Sequence, residues 1–353
     1  MTSHRPRSRA HAVSAVLERL RFLAPRRWHG LVAFNYHRIG DGAGSPFDHD
    51  LWSASAEELD RQVAFLREHF DVVHPKDVPE LQRRGRGRHV LITFDDGYRD
   101  NYELAFPVLR RHGVPAAFFV ATGFLDAPRV PWWDEIAWMV RRSTRAGLPA
   151  CAYLPDPVDL GADRERAIPY LLRIYKRLPD DRTGAYIDWL ADGTGSGRCH
   201  DDASTMWMSW EMVRELHAAG MAVGGHTVNH PVLARLDRAG QESEITTCAR
   251  RIREQLGETM RWFAYPVGGL DAFNEHTRAA LSAAGVELAF SYYGGYRRYD
   301  DWDPLDVRRI AVETYIDGDY FRTVARWPAL MAPLPGQRWP GRVRELMRAW
   351  VGS

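Results

Sequence analysis

The stretch Thr93-Phe94-Asp95-Asp96-Gly97-Tyr98 places two adjacent carboxylates directly after an apolar run, residues 89–92. A helical pattern follows almost at once, over residues 100–112. A strand that ends in Asp-Asp-Gly and turns into a helix presents its acids at the carboxyl edge of a sheet, where α/β folds bind their ligands. Because Asp-Gly is also a common turn pair, this stretch alone leaves an ordinary turn open.

A second motif, Gly225-His226-Thr227-Val228-Asn229-His230-Pro231, also follows a short apolar run, residues 221–224. Its two histidines would face the same way if the turn between them were helical, and their spacing is typical of metal ligands. A single pair of this kind is more often a pair of surface or capping histidines. One carboxylate and two imidazoles, however, make a facial metal triad with open positions for water and substrate. The two motifs together predict a metal site at the ends of two strands.

Strand and helix patterns alternate along the chain. Residues 57–69 are predicted as a helix because Leu59, Val63 and Leu66 lie on one stripe, and residues 71–74 are predicted as a short strand. This alternation favours a parallel α/β sheet, but it does not distinguish a closed barrel from an open sheet.

The two motifs resemble those of the polysaccharide deacetylases, the NodB-homology family, also called carbohydrate esterase family four. The family's first motif is similar to residues 93–97, and its second, His-Ser/Thr-x-x-His, is similar to residues 226–230. A third and weaker match is residues 263–268. The segment Tyr36-His37-Arg38, at the end of a predicted strand, resembles the exopolysaccharide-type branch of the family. The resemblance covers roughly residues 31–320.

The resemblance implies an α/β fold, a distorted (β/α)7 barrel of the NodB-homology type with a helical insertion. It also implies a metal-dependent hydrolase that removes N-acetyl groups from the amino sugars of a polysaccharide or glycan precursor and releases acetate. The divalent metal is expected to be zinc, which the family commonly uses. The alternatives are another amide hydrolase on the same barrel, such as a deformylase of a lipid-linked sugar, and a non-catalytic glycan-binding protein.

By the same resemblance, Asp95 is the general base, and Asp96 binds the metal with His226 and His230. The backbone N–H of Val267 is expected to be one donor to the oxyanion. The chemistry of these residue types agrees with such roles. A bound divalent metal lowers the pKa of its water to about 7, and a carboxylate beside the metal can take the water proton.

Two family features are missing from this chain. The arginine that pairs with the base would fall at Ala264, and the late Leu-x-His that supplies the general acid has no counterpart in residues 307–312. His37 is the candidate general acid, because an imidazole with a pKa near 7 suits proton donation to a leaving amine. The alternative is a structural histidine bonded at the strand terminus.

Residues from about 126 to 206 interrupt the alternation and are predicted as a helical insertion on the active-site side, where the βα loops of a barrel lie. Trp132 and Trp133 in this insertion are candidate substrate-binding residues, since aromatic faces pack against sugar C–H faces, and the alternative for such tryptophans is a place in the core. Tyr265 in the third motif is a further candidate. The predicted organisation is a basic N-terminal helix or tail (1–28), a deacetylase domain that contains the insertion (29–330) and a basic C-terminal tail (331–353).

The chain has 353 residues, of which 45% are hydrophobic and 26% charged, so it can form one large domain with a substantial core. Its positive charge is concentrated at the ends: residues 1–27 contain seven Arg and one Glu, and residues 331–353 contain four Arg and one Glu. Basic ends on an acidic body fit peripheral contact with an anionic membrane surface as well as solvated tails. Nucleic acid is not an expected partner, because the body is acidic.

The three cysteines are widely spaced and form no CxxC pattern, and the first residues contain no signal-peptide-like apolar region. The sequence also contains no run of about 18 apolar residues. We therefore expect a cytoplasmic protein without a transmembrane segment.

Overall fold

A computed structural model describes residues 28–161 and 164–331 of the chain. The two predicted basic tails, and the membrane contact expected of them, lie outside these residues except for Trp28 and Met331, so they remain predictions. The strands of the described residues are β1 (Gly30–Tyr36), β2 (Arg38–Ile39), β3 (Trp52–Ala54), β4 (Asp71–Val72), β5 (Arg88–Phe94), β6 (Ala117–Val120), β7 (Gly147–Leu148), β8 (Val158–Asp159), β9 (Ala222–Gly225), β10 (Trp262–Ala264), β11 (Leu288–Ser291), β12 (Arg297–Arg298) and β13 (Val307–Ala311).

The helices of the same residues are α1 (Ala56–His69), α2 (Val78–Arg84), α3 (Phe106–His112), α4 (Thr122–Asp126), α5 (Trp132–Arg141), α6 (Arg164–Tyr175), α7 (Asp180–Thr194), α8 (Trp210–Ala218), α9 (Arg238–Leu256), α10 (Glu275–Ala283), α11 (Gly318–Arg326) and α12 (Pro328–Met331). Within the described ranges, none of them is both long and apolar enough to span a bilayer.

Seven parallel strands form a closed barrel, in the order β1, β5, β6, β9, β10, β11 and β13. The ring closes because β1 pairs with both β5 and β13, so that Phe34 lies opposite Ile92 on one side and Ile310 on the other. β4 extends the sheet beyond β5, and β12 pairs antiparallel with β1. The distorted (β/α)7 barrel that the family resemblance implied is confirmed.

Successive side chains along each strand point alternately into the barrel and toward the surrounding helices, because the side chains of a strand repeat with a period of two. On β1, Ala33 packs in one apolar cluster with Leu91 of β5. Phe34 belongs to another cluster, which it shares with Val63 and Leu66 of α1. Both clusters are almost fully buried, and each buried aliphatic or aromatic side chain stabilises the fold by about 1.5–3 kcal/mol.

Residues 100–112, predicted as one helix, form two elements. A π-helical turn, Asn101–Ala105, comes first, and α3 then begins at Phe106. Pro107 therefore lies just after the junction between the π-helical turn and α3, inside one continuous helical stretch.

The predicted insertion contains α5, α6, α7 and the small antiparallel pair β7–β8. These helices share a hydrophobic cluster of their own, to which Ile136, Val140, Leu171 and Ile187 belong. Tyr98, in the segment that follows β5, is buried in the same cluster. The insertion is thus packed against the carboxyl ends of the barrel strands.

Candidate active site

Asp95 and Asp96 follow β5 directly, and both are 2% exposed. The N–H of Asp95 donates to the carbonyl of Tyr36 at the end of β1, over 3.0 Å. Asp96 has a left-handed backbone with a φ of 73°, and it precedes Gly97, whose φ is 91°. A Cβ at Gly97 would lie 3.2 Å from Cδ1 of Leu125, so this tight turn favours glycine. Because the backbone turns sharply at Asp96 and Gly97, the carboxylates of Asp95 and Asp96 both line the same cavity.

A buried arginine, Arg309 of β13, binds Asp95. Its Nη1 lies 2.6 Å from Oδ1 and its Nη2 lies 2.8 Å from Oδ2 of the carboxylate, so two parallel hydrogen bonds form. Nη1 also donates to Oδ1 of Asn35 over 2.6 Å. Burial raises the pKa of Asp95, but the positive charges of Arg309 and His226 outweigh burial and hold it below the ordinary value. Asp95 is therefore ionised at neutral pH.

No role was predicted for Arg309. The family pattern places the arginine that pairs with the base at position 264, which is an alanine in this chain. The structure shows that the partner of Asp95 comes from a different strand. The available signal was the pair Arg308-Arg309 inside the strand β13, because a charge in a buried strand needs a partner.

His226 and His230 lie in the loop after β9. This loop is not helical, because Thr227 and His230 have φ angles of 67° and 57°, so the helical turn considered above is wrong. Oγ1 of Thr227 accepts the N–H of His230 over 2.9 Å. Oε2 of Glu244 accepts the two N–H groups of residues 228–229, over 2.8 and 2.9 Å. These bonds hold the loop in a shape that turns both imidazoles toward Asp96.

Asp96, His226 and His230 each offer a ligand atom, and these atoms lie within 4.8 Å of one another. Nε2 of His226 lies 3.3 Å, and Nε2 of His230 3.4 Å, from Oδ1 of Asp96. That oxygen is buried and has no hydrogen-bond partner in the part of the chain that the structure describes. Nδ1 of His226 donates to the carbonyl of Ala264 over 2.7 Å, which leaves its Nε2 free to act as a ligand. The residues present therefore fit a divalent metal.

The ionisation of two of these groups agrees with that fit. Burial lowers the pKa of His230 to about 3, and the charge of His226 acts in the same direction. Burial alone would raise the pKa of Asp96, but the two imidazoles lower it below its ordinary value. A neutral imidazole and an ionised carboxylate are the forms in which these side chains bind metals. Burial lowers the pKa of the third group, His226, but the carboxylates of Asp95 and Asp96 outweigh burial and raise it above the ordinary value, so a metal would have to displace its proton.

His37 follows β1 and lines the same cavity. Its backbone is fixed on both sides, since its N–H donates to Oγ of Ser53 (2.9 Å) and its carbonyl accepts from Nδ2 of Asn101 (2.6 Å). Its ring meets the ring of Tyr292 edge-on, with 5.5 Å between centroids. Burial lowers the pKa of His37, and the carboxylate of Asp96 opposes this effect.

The third motif forms a tight turn after β10. Val267 and Gly268 have φ angles of 61° and 62°, and a Cβ on Gly268 would lie 2.6 Å from Cβ of Tyr292. Val267 lines the cavity, and its N–H has no acceptor among the described residues. A turn of this shape is suited to presenting an N–H to an oxyanion.

Two of the three candidate aromatic residues are nearly buried at the cavity. Tyr265 is 1% exposed, and its hydroxyl donates to the carbonyl of Leu305 over 2.7 Å. The ring of Trp133 lies edge-on to His230 at 4.4 Å, and its Nε1 donates to the hydroxyl of Tyr98 over 2.8 Å. Their contacts with the protein are therefore extensive, and contact with a substrate remains a prediction.

Trp132 is half-buried and lines the cavity. Its ring stacks on Tyr175 with 4.2 Å between centroids, and its Nε1 donates to the carbonyl of His230 over 3.3 Å. The cavity itself measures about 230 Å³.

Backbone strain is concentrated at this cavity. The non-glycine residues with positive φ in the described ranges are Asp96, Thr227, His230 and Val267. Such conformations are costly and persist where the surrounding structure enforces them, typically at functional sites.

Comparison with known proteins agrees with this geometry. The family model for polysaccharide deacetylase matches residues 82–148 and 171–289 of the chain. YxkH of Bacillus subtilis (strain 168), whose name places it among the polysaccharide deacetylases, is 34% identical over 290 residues, which cover 81% of this chain and 72% of YxkH.

Two further likenesses are more limited. The poly-beta-1,6-N-acetyl-D-glucosamine N-deacetylase of Escherichia coli O157:H7 is 31% identical over 128 residues, which are 34% of this chain and only 19% of that protein. The chain thus spans about a fifth of the length of that relative. The structure of IcaB from Ammonifex degensii superposes with a TM-score of 0.53 over 85% of this chain and 97% of the other, at 23% identity, which shows a shared fold.

Proposed function

This chain belongs to the polysaccharide deacetylase family, and from that premise we propose that it is a metal-dependent hydrolase of N-acetylated amino sugars in a glycan, with N-acetylglucosamine as the first sugar to test. The reaction adds water to the acetamide carbonyl, breaks the C–N bond and releases acetate and a free amine. The observation that carries the proposal is the position of an ionised carboxylate beside a set of metal ligands. Oδ2 of Asp95 lies 3.9 Å from Nε2 of His226, inside one cavity.

We propose that Asp96, His226 and His230 hold the metal, with zinc as the first candidate. Two imidazole nitrogens and a carboxylate oxygen are ligands that zinc accepts. When bound, the ion would act as a Lewis acid on the amide carbonyl and favour the ionisation of water.

Asp95 is the proposed general base. Arg309 keeps its carboxylate ionised and in one orientation, so that it can take a proton from the attacking water. His37 is the proposed general acid, which donates a proton to the nitrogen of the leaving amine. The N–H of Val267 is the proposed donor to the oxyanion that develops on the acetamide oxygen.

A cytoplasmic location is also part of the proposal. Its support is chemical: Cys151, Cys199 and Cys248 are all free thiols in the structure.

The proposal is tested by measuring bound metal and acetate release together. Purified protein and the Asp96→Ala variant are assayed on oligomers of N-acetylglucosamine, with Asp181→Ala, an exposed aspartate of α7, as the matched control. We expect metal and acetate release in the parent and the control, loss of both in Asp96→Ala, and loss of activity with a chelator. A protein that binds no metal and releases no acetate would refute the proposal.

A further inference from the structure

The segment between β2 and β3 brings a further carboxylate to the cavity of the candidate active site. Asp48, Asp50 and Leu51 of this segment line the cavity together with the proposed metal ligands. Asp48 is 7% exposed, so the protein and the cavity enclose it almost completely. It is neither the proposed base nor a proposed metal ligand, so a buried acid at this place needs another explanation.

The backbone of Asp48 is joined to the residues that surround His230. Its N–H donates to Oδ1 of Asp134 over 2.9 Å, and Oδ2 of Asp134 accepts the hydroxyl of Tyr98 over 2.9 Å. That hydroxyl accepts Nε1–H of Trp133 over 2.8 Å, and the ring of Trp133 lies edge-on to His230. A chain of hydrogen bonds and one ring contact therefore fix the position of Asp48 relative to a proposed metal ligand.

Further contacts hold the neighbours of Asp48. Nη1 of Arg141, on α5, donates to the carbonyls of Pro46, over 3.2 Å, and Phe47. Nε2 of His49 lies 2.7 Å from the carbonyl oxygen of Ser45. Because the segment is held on both sides of Asp48, its carboxylate needs little ordering to bind a ligand, and this lowers the entropic cost of binding.

The carboxylate of Asp48 uses only part of its hydrogen-bonding capacity. Oδ1 accepts the N–H of Asp50 over 3.1 Å and so caps the short helical turn His49–Leu51. Oδ2 accepts no hydrogen bond from the described residues and is not sealed from solvent, so it opens into the cavity that Asp48 lines. Burial raises the pKa of Asp48, and the N–H of Asp50 opposes this effect only in part. A carboxylate offers about four lone-pair sites, so Oδ2 can accept a hydrogen bond from a ligand.

From this arrangement, and resting on the proposed function, we infer that Oδ2 of Asp48 binds a hydroxyl group of the amino sugar. A hydrogen bond from a hydroxyl to a carboxylate is about twice as strong as one between neutral groups. A sugar that lacks the hydroxyl would leave a buried carboxylate oxygen unpaired, which weakens its binding. Asp48 thus selects the substrate by its hydroxyl groups, in addition to capping a helical turn.

The variant Asp48→Asn separates these two roles. Its amide oxygen can still accept the N–H of Asp50, and Asn caps helices about as well as Asp does. The NH₂ group then takes the place of Oδ2 and cannot accept a hydrogen bond from a hydroxyl. We expect KM for oligomers of N-acetylglucosamine to rise about tenfold, with kcat and bound metal unchanged. An unchanged KM would refute the binding of substrate by Asp48.

Asp237→Asn is the matched control for this variant. Asp237 also caps a helix, since its Oδ1 accepts the N–H of Gly240 over 2.7 Å, but it is exposed and lies outside the cavity lining. Its KM should equal that of the parent protein. An equal rise of KM in both variants would overturn the inference, because the loss of any capping carboxylate would then have the same effect.

Substrate analogues test whether the bound group is a hydroxyl. Analogues of N-acetylglucosamine in which one hydroxyl at a time is replaced by hydrogen are compared in the parent protein and Asp48→Asn. One analogue should raise KM of the parent about tenfold and cause no further rise in the variant, because both changes remove the same hydrogen bond. If the two effects add for every analogue, Asp48 binds no hydroxyl and the inference fails. Failure of the parent to release acetate from any N-acetylated sugar would instead overturn the proposed function, and the inference with it.

Discussion

The guanidinium of Arg309 binds both carboxylate oxygens of Asp95, over 2.6 and 2.8 Å, although the two residues are 214 positions apart in the chain. The pair joins β13 to the end of β5 through β1, since Asn35 of β1 contacts both residues. Barrel closure therefore does more than bury apolar surface. It brings the arginine to the carboxylate that we propose as the general base.

Replacing this arginine should change the pH dependence of the reaction. In Arg309→Met, burial of Asp95 is opposed only by weaker charges, so the pKa of Asp95 rises. A base must be ionised to act, so the ascending limb of kcat/KM against pH should move to higher pH. At neutral pH, kcat/KM should fall by about 10²-fold or more.

Arg308→Met is the control for that prediction, because Arg308 is a neighbour on the same strand and lies 3.8 Å from Asp306 instead. In Arg308→Met, the ascending limb of kcat/KM against pH should stay at the same pH as in the parent protein. Breaking a buried ion pair costs about 3–5 kcal/mol, so the unfolding of both variants has to be measured. A folded Arg309→Met with an unmoved limb would show that the arginine does not control Asp95.

Local sequence patterns were sufficient to find the residues at the ends of individual strands. Asp95 and Asp96 follow β5 and His226 follows β9, so a strand pattern with its next few residues locates them. The conformation of the histidine loop was not predictable in this way. Its left-handed residue Thr227 is enforced by distant partners such as Glu244, which no local pattern reports.

The other site residues that were not predicted from the sequence depend on contacts between distant segments of the chain. Arg309 had no recognisable motif, because its partner is known only once the barrel closes. The insertion was predicted as helical, but the position of Asp48 at the cavity depends on where α5 lies, because Asp134 and Arg141 of this helix hold its segment. Sequence periodicity gives the buried face of a helix and not the site over which that helix lies.

Metal binding should stabilise the folded protein. A ligand that binds only the folded state at about 100 times its Kd adds about 2.7 kcal/mol to the free energy of unfolding. Added zinc should therefore raise Tm in the parent protein after chelation, and His230→Ala should abolish that increase. His276→Ala, which removes an exposed histidine from α10, should preserve it. An equal increase in His230→Ala would place the metal elsewhere.

The proposed acid should determine the opposite limb of the pH profile. His37 must be protonated to donate, so kcat/KM should fall as pH rises through its pKa, which burial places below the ordinary value of 6.5. His37→Gln should lower kcat by about 10²–10⁴-fold, remove this descending limb and leave bound metal unchanged. If the variant retained most of the turnover of the parent protein, His37 would be a structural residue and not the general acid.

Asp134 should make stability depend on pH, because its fully buried carboxylate accepts hydrogen bonds from Tyr98 Oη and the N–H of Asp48, both over 2.9 Å. Burial raises its pKa from 3.8 to about 7. The unfolded chain therefore loses this proton at lower pH than the folded protein does, and the free energy of unfolding should decrease as pH rises from about 4 to about 7. Asp134→Asn removes that titration, so its stability relative to the parent should improve over the same interval, as measured by denaturant unfolding at each pH. The exposed control Asp181→Asn should follow the parent, whereas a constant difference between Asp134→Asn and the parent would mean that Asp134 is ionised throughout.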